Sequence, residues 1–133
     1  MVLFRDVLTI ATEKGISYAD ITGSVVSLVK ACKILEGVCN IFVQATTAGL
    51  MVNENDRMLI EDFRRSFAII DEKKLYSHPQ NAFSHLRANL LDTEKTLPVS
   101  NGKLLLGEWQ SILLWEFDKE PRKREVVVTV VGD

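Results

Sequence analysis

The feature that most constrains the fold is the run Glu125–Val131, which reads EVVVTVV near the end of the 133-residue chain. Side chains branched at Cβ favour extended backbone. The run has almost no alternation of polar and apolar residues, which is the pattern of a strand that is covered on both faces. In a chain this small, subunit association is one way to cover the second face. The run therefore predicts a strand and, as a hypothesis, an oligomer.

The size and composition of the chain predict one globular domain, residues 1–133. Its formal net charge of −2 gives no indication of a nucleic-acid or membrane partner. The N-terminus is not a signal peptide, and no apolar run approaches the ~20 residues of a membrane span. Cys32 and Cys39 form neither a disulfide framework nor a CxxC motif. We therefore expect free thiols and a cytoplasmic protein.

Strand patterns dominate both ends of the chain, and helix patterns lie between them. The first helix is predicted to begin near Asp20 and to end at Gly37 as C-cap. The second begins in the polar cluster Asn53–Asp56. The predicted strands are 2–12, 38–44, 48–52, 103–106, 107–117 and 125–131. The last two of these are expected to form a hairpin around Asp118–Arg124. This order of elements predicts an α+β fold, mainly antiparallel, with helices packed on a sheet or a small sandwich.

Both histidines lie in one segment, Tyr76–Leu91. Asn81 is a good N-cap for a third helix, because its side-chain oxygen can accept from free backbone N–H groups. With that cap, one helical stripe contains the apolar residues Phe83, Leu86 and Leu90. His85 then faces away from the core, and a loop could bring His78 towards it. Two imidazoles at a helix N-terminus could bind a metal, an anion or a phosphorylated ligand. The alternative is two ordinary histidines, because a His-x6-His spacing is not a strong metal signature.

A second polar stretch links two predicted strands to a helix. Thr46 and Thr47 separate the strands, and their small hydroxyl side chains suit a tight site near the sheet. Asn53 and Glu54 follow the second strand. Glu54 could be a metal ligand or a proton carrier. The alternative is a hairpin followed by a helix-capping cluster, because an acidic residue at a helix start is favoured by the helix dipole.

Two further sites contain polar residues that core packing does not explain. Gln110 lies between apolar residues, and a buried amide must find hydrogen-bond partners. Arg122 and Arg124 point the same way if their strand has begun, because the side-chain period of a strand is two. A pair of guanidiniums on one face suits phosphate or carboxylate. The alternative is an exposed strand residue and a solvated turn. The chain contains no Gly-rich phosphate loop, no G-x-S-x-G elbow and no HExxH motif.

Four runs together resemble the YjbQ family, whose members are often labelled secondary thiamine-phosphate synthases. These runs read ATTAGLMVNEN, YSHPQNAFSHLRANLL, PVSNGKLLLGEWQ and PRKREVVVTVVG. The resemblance extends from about residue 20 to the end of the chain, and four motifs in order at fitting separations make it specific. It implies a compact α+β domain with a β-sandwich core and two to three helices. It also implies a homotrimer, with sites near subunit boundaries whose histidines hold a divalent metal, zinc or magnesium.

The resemblance also implies roles for individual residues. His78 and His85 match the metal-binding histidines, and these two residues with Glu54 would form the catalytic set. The residues that would bind substrate or an anion are Thr46, Thr47, Asn53, Asn81, Gln110, Arg122 and Arg124. Asp62 matches a further polar position. Many family members carry a histidine where this chain has Ala45. Zinc is normally held by four protein ligands, or by three protein ligands and a water molecule. Glu54, Asp62 or a residue of a neighbouring subunit would therefore have to complete the site.

Two functions follow from this resemblance. The first is an enzyme that joins hydroxymethylpyrimidine diphosphate to thiazole phosphate and releases pyrophosphate. Arg122 and Arg124, with Asn81, would hold phosphate, and the histidines with Glu54 would hold a metal that neutralises charge on the leaving group. The alternative, favoured by Ala45, is a non-catalytic trimer that binds a phosphorylated metabolite or a metal. A third reading is a scaffold whose polar residues only join subunits.

Overall fold

The computed structural model describes all 133 residues, which form eight strands and three helices. The strands are β1 (Val2–Thr12), β2 (Ser17–Asp20), β3 (Gly37–Val43), β4 (Ala48–Asn53), β5 (Glu94–Ser100), β6 (Lys103–Leu104), β7 (Ser111–Glu116) and β8 (Arg122–Gly132). The helices are α1 (Thr22–Cys32), α2 (Arg57–Ala68) and α3 (Ala82–Ala88). None of the three is long and apolar enough to cross a membrane.

Every strand pair is antiparallel, and the strands divide into two sheets. The larger sheet has the order β1-β8-β3-β5-β6, and the smaller has the order β2-β7-β4. The apolar faces of both sheets and one face of α1 share a core of 15 buried residues, among them Val25, Ile41, Leu114 and Val128. The predicted α+β fold, mainly antiparallel with a sandwich core and two to three helices, is therefore confirmed, and the number of helices is three.

Strand β8 lies in the larger sheet between β1 and β3. Its inward side chains, Val126, Val128 and Val130, are fully buried, whereas Val127 and Val131 on the outer face are only half-buried. The outer-face neighbours of Val127 and Val131 in the pairing register are exposed apolar residues, namely Leu3, Val7, Val38 and Phe42. Within this chain, one face of β8 is fully covered and the other is only partly covered, whereas the sequence predicts a strand that is covered on both faces.

The predicted hairpin of the last two strands is wrong. β7 pairs with β2 and β4, and β8 pairs with β1 and β3, so residues 117–121 cross from one sheet to the other. The crossing is stabilised by an ion pair between buried Glu116 at the end of β7 and Arg124 near the start of β8. Alternation and turn residues locate two strands, but they do not identify the partner of each strand.

The predicted end of the first helix is also wrong. Lys33 ends α1 in the left-handed conformation with φ 60°, and Gly37 begins β3 instead of capping the helix. Gly37 lies opposite Gly132 of β8, where a Cβ atom on Gly37 would lie 2.0 Å from the carbonyl oxygen of Val131. The glycine is therefore required by a close approach of two strands. Strand β2 was not predicted, and β7 begins only at Ser111 because a turn occupies residues 107–110.

Helix α3 presents a different face to the core from the one that its apolar stripe predicts. Leu86 and Leu90 are exposed, and the buried residues are Phe83, Ser84, Arg87 and Ala88. Ser84 donates its hydroxyl to the carbonyl of Phe117 at 2.6 Å. The guanidinium of Arg87 donates to the carbonyls of Phe67 and Ile70 at the end of α2. A cation is favoured at a helix C-terminus, so these polar anchors set the rotation of α3.

The two cysteines are unpaired, as predicted. Cys39 is fully buried on β3. Burial, and to a smaller extent the nearby Cys32, raise the pKa of the Cys39 thiol to about 11. The thiol is therefore neutral at physiological pH and belongs to the core, because the thiolate is the reactive form of cysteine.

Candidate functional site

The two histidines lie together at the start of α3. Their ring centroids are 5.3 Å apart in an edge-to-face arrangement. Asn81 occupies the predicted N-cap position, but its side chain does not cap the helix. Its Oδ1 atom lies 2.9 Å from Nε2 of His78 instead. The asparagine therefore orients the more exposed of the two imidazoles.

Both imidazoles border open depressions on the same side of α3. A depression of about 570 Å³ is lined by His85 and by Ala45, Thr46 and Asn89, among others. A second, of about 380 Å³, is lined by His78, Ala82, His85 and Leu86. Because His85 and Leu86 line both, we call the two together the histidine groove. Ala45, the position where the resemblance implies a third histidine, lines this groove.

A network of buried charges lies beside the groove. Glu116, which is fully buried, accepts from Nε of Arg124 at 2.7 Å and from Nη2 at 2.5 Å. It also accepts from the hydroxyl of Thr12 at 2.6 Å. Nη2 of Arg124 donates to the hydroxyl of Thr47 at 2.6 Å. This network links β7 to β8 and holds the loop that lines the groove.

Arg122 is paired in the same way as Arg124. Its Nε atom donates to Oδ2 of Asp118 at 2.9 Å, and its side chain is 47% exposed. Burial raises the pKa of Asp118, but the hydrogen bonds from the backbone N–H of Lys119 and from Arg122 outweigh this effect, so the pKa lies below its usual range. Both predicted anion-binding arginines therefore already contact a carboxylate, and Arg122 is the more accessible of the two.

Three predicted site residues lie at the end of β4 and β7 that is far from the histidine groove, namely Asn53, Glu54 and Gln110. Ala48 pairs with Glu116 at the groove end, whereas Asn53 pairs with Ser111 at the far end. The five residue-to-residue steps from Ala48 to Asn53 span about 17 Å. Glu54 follows Asn53, and Gln110 precedes Ser111 with its Oε1 atom accepting from the backbone of Gly107. The predicted site residues thus form two groups.

The residues of this chain alone do not fit a zinc centre. No three of the chain's His, Cys, Asp and Glu side chains come close enough together to hold a metal ion. Glu54 lies at the far end of β4, and Asp62 lies on the exposed side of α2 beside Arg65. Zinc requires at least three protein ligands with water. A zinc ion at the two imidazoles would therefore need a third ligand from outside this chain.

Sequence reasoning missed two buried charges. Glu116 is the only acidic residue in the apolar run Ile112–Phe117, and a lone carboxylate in such a run indicates a buried partner. Arg87 is 4% exposed although it lies in a short helix with polar neighbours. Its burial has no signal in the local pattern, because the carbonyls that it contacts lie 17 and 20 residues away.

Residues 6–133 match the family described as UPF0047 protein YjbQ-like. Among related sequences, the UPF0047 protein of Methanothermobacter thermautotrophicus is 35% identical, with 99% of this chain and 94% of the relative covered. The UPF0047 protein of Archaeoglobus fulgidus is 38% identical, with 91% of this chain and 96% of the relative covered.

Solved structures give the same grouping. A YbjQ-like protein of unknown function from Sulfolobus solfataricus P2 superposes with a TM-score of 0.94 at 32% identity, with 99% of each chain covered. A hypothetical protein from Aeropyrum pernix K1 superposes with a TM-score of 0.92 at 30% identity, with 98% of this chain and 99% of that chain covered.

Proposed function

The chain belongs to the YjbQ-like UPF0047 family, and from this premise we propose that it binds a small phosphorylated metabolite in the histidine groove. One observation carries the proposal. Two imidazoles with ring centroids 5.3 Å apart border this groove, whose two depressions have volumes of about 570 Å³, lined by His85, and about 380 Å³, lined by both histidines. Ligand sites in proteins are commonly clefts of roughly 300–1,000 Å³ with a few converging polar groups.

The groove offers donors that suit a phosphate. Protonated imidazoles donate through both nitrogens, and Thr46, Asn89 and Thr93 add hydroxyl and amide groups. Asp92 also lines the groove, but Nζ of Lys95 lies 2.7 Å from its carboxylate and offsets the charge.

Replacing His85 with alanine is expected to weaken ligand binding at least tenfold. A charge-assisted hydrogen bond contributes about 1.5–3 kcal/mol, and tenfold corresponds to about 1.4 kcal/mol. The measurement is calorimetric titration with thiazole phosphate for the wild type and for His85→Ala. Ser24→Ala is the control, because Ser24 is an exposed polar residue on α1. Equal affinities for wild type and His85→Ala would contradict the proposal.

A finer candidate is a transferase of the thiamine-phosphate synthase type, with the metabolites named by the family resemblance. In that reaction, the bond from the pyrimidine methylene carbon to pyrophosphate breaks, and pyrophosphate leaves with the electron pair. The thiazole nitrogen then forms the new bond to that carbon. The histidines support this candidate because they could donate hydrogen bonds to the departing anion. Turnover of both precursors by wild type, together with an equal rate for His85→Ala, would count against this role.

We propose that a divalent metal, zinc or magnesium, is held weakly unless a third ligand is supplied. Ala45 and His85 line the same groove, so Ala45→His would place a third imidazole there. We expect zinc to bind this variant at least tenfold more tightly than the wild type, because three histidines with water are a common catalytic zinc set. Dialysis against zinc followed by elemental analysis per subunit measures the difference. Stoichiometric zinc that resists a chelator in the wild type would contradict the proposal of weak binding. Such a result would point to a third ligand from a partner subunit.

We further propose a cytoplasmic homotrimer. The exposed apolar residues on the outer face of the larger sheet support association, because large apolar patches on a protomer commonly mark interfaces. A three-fold ring uses heterologous contacts, in which two different surfaces meet. Such contacts could bring Glu54 and Gln110 of one subunit towards the histidines of the next.

The expected mass in solution is three times the 15.0 kDa of one chain, measured by light scattering at micromolar concentration. Phe42→Asp should lower this mass, because Phe42 lies in the outer apolar face. Ser24→Ala should leave it unchanged. A monomeric wild type would remove the proposal.

A further inference from the structure

We infer that a second site, on the other side of the segment 71–80 from the histidine groove, binds the di- or triphosphate group of a small molecule. The site consists of two adjoining depressions of about 340 and 540 Å³, which share Gly15 and Glu72. We call them together the cationic groove, after the six basic residues that line them. These are Lys14, Arg64, Arg65, Lys73, Arg87 and Lys119.

The charge of this groove differs from that of the whole chain. It contains six of the chain's 16 basic residues and only one acidic residue, Glu72, whereas the chain has a net charge of −2. Two of the cations have acidic partners outside the groove. Arg64 pairs with Glu61, and Arg65 lies 3.8 Å from the exposed carboxylate of Asp62. Exposed pairs of this kind are weak and are screened by salt, so the groove keeps a positive potential.

Arg87 gives the groove a preorganised donor. Its side chain is only 5% exposed, and Nε and Nη2 are fixed by the carbonyls of Phe67 and Ile70. Its Nη1 atom lies 3.6 Å from the carboxylate of Glu72, which is longer than a hydrogen bond. A guanidinium has five N–H donors, and this one therefore keeps donors for a ligand. Because the side chain is already immobile, binding does not cost its rotational freedom.

The geometry favours a polyphosphate over a single phosphate. The first depression contains guanidiniums, which bind phosphate oxygens in pairs, and the second contains ammonium groups, which act as mobile point charges. One phosphate in each depression would place the ligand across Gly15 and beside Glu72. Glu72 is 57% exposed, so an arriving anion can displace its carboxylate from Arg87.

The cationic groove is separate from the histidine groove. Pro79 and Gln80 line the cationic groove, whereas His78 and Ala82 line the histidine groove. Neighbouring residues of this one segment therefore line different grooves, and the two sites lie on opposite sides of it. This inference does not depend on the proposed function, and variants of one site test it without altering the other.

Calorimetric titration of the full chain with pyrophosphate tests the inference. We expect Arg65→Ala to weaken binding about fivefold and Lys14→Ala with Lys119→Ala to weaken it at least tenfold. Glu72→Gln should strengthen binding severalfold, because it removes the one competing carboxylate. Arg57→Ala is the matched control, because Arg57 is an exposed arginine of the same helix that does not line the groove. It should change the affinity less than twofold.

Three results would overturn the inference. The first is the absence of saturable binding by the wild type. The second is an equal loss in Arg57→Ala and Arg65→Ala, which would mean that only net charge matters. The third is loss of all pyrophosphate binding in His85→Ala while the Lys14→Ala, Lys119→Ala variant binds normally. That result would assign every bound pyrophosphate to the histidine groove.

Discussion

Replacing Glu116 with alanine is expected to lower the free energy of unfolding by about 3–5 kcal/mol, which is the usual cost of breaking a buried ion pair from one side. The carboxylate is fully buried and accepts from Arg124, from Thr12 and from the backbone N–H of Asp118. Its loss leaves a guanidinium that is 12% exposed without its direct ion-pair partner. It also removes a link between the two sheets at the point where the chain crosses between them.

Denaturant unfolding of matched variants measures this effect. Asp62→Ala is the control, because it removes a carboxylate from an exposed pair and should change stability by about 1 kcal/mol or less. The double variant Glu116→Leu, Arg124→Leu should recover at least half of the loss, because it leaves no unpaired buried charge. The comparison also needs the single variants Glu116→Leu and Arg124→Leu. If the double variant lost more stability than the two single variants together, the charge pair would not be the source of the loss.

Replacing Gly37 with alanine is expected to destabilise the fold by about 3 kcal/mol or more, at the upper end for an overpacked position. A Cβ atom on Gly37 would lie 2.0 Å from the carbonyl oxygen of Val131, and one on Gly132 would lie 1.9 Å from that of Glu36. Both obstacles are backbone atoms, one in β8 and one directly before β3, and they cannot rotate away. The strands must move apart, and the hydrogen bonds between β3 and β8 weaken.

Gly23→Ala is the opposite case in the same chain. Gly23 lies in α1 with nothing within 4 Å of its ideal Cβ position, so alanine there should stabilise the protein by about 0.5–1 kcal/mol. Thermal and denaturant unfolding of Gly23→Ala, Gly37→Ala and Gly132→Ala give the comparison. If Gly37→Ala and Gly132→Ala were as stable as the wild type, the close approach of β3 and β8 would be incorrect.

Local pattern predicted the histidine pair because the two residues are close in the chain. His78 and His85 are separated by one loop and one helical turn, and Asn81 at the start of α3 contacts His78 through its side chain, so the two rings lie together. Thr46 reaches the same groove because it lies in the loop that begins β4. Glu54 does not, since β4 runs about 17 Å away from that loop before Glu54 is reached.

The rotation of α3 could not be predicted from its own residues. The apolar stripe of Leu86 and Leu90 indicates one face, but Arg87 and Ser84 bind carbonyls of α2 and of the segment after β7. A buried guanidinium or hydroxyl without a hydrogen-bond partner costs more than a leucine that stays at the edge of a groove. The same contacts place Arg87 in the cationic groove, which no sequence motif indicated.

By itself, the sequence determined the family, the α+β class, the approximate positions of most strands and the pairing of the two histidines. These properties depend on residue type and on short-range spacing. The tertiary structure alone decided that β7 and β8 lie in different sheets, that Glu116 pairs with Arg124, and that the predicted site residues form two separate groups. These properties depend on contacts between distant residues, and periodicity reports which side of an element is apolar but not which element covers it.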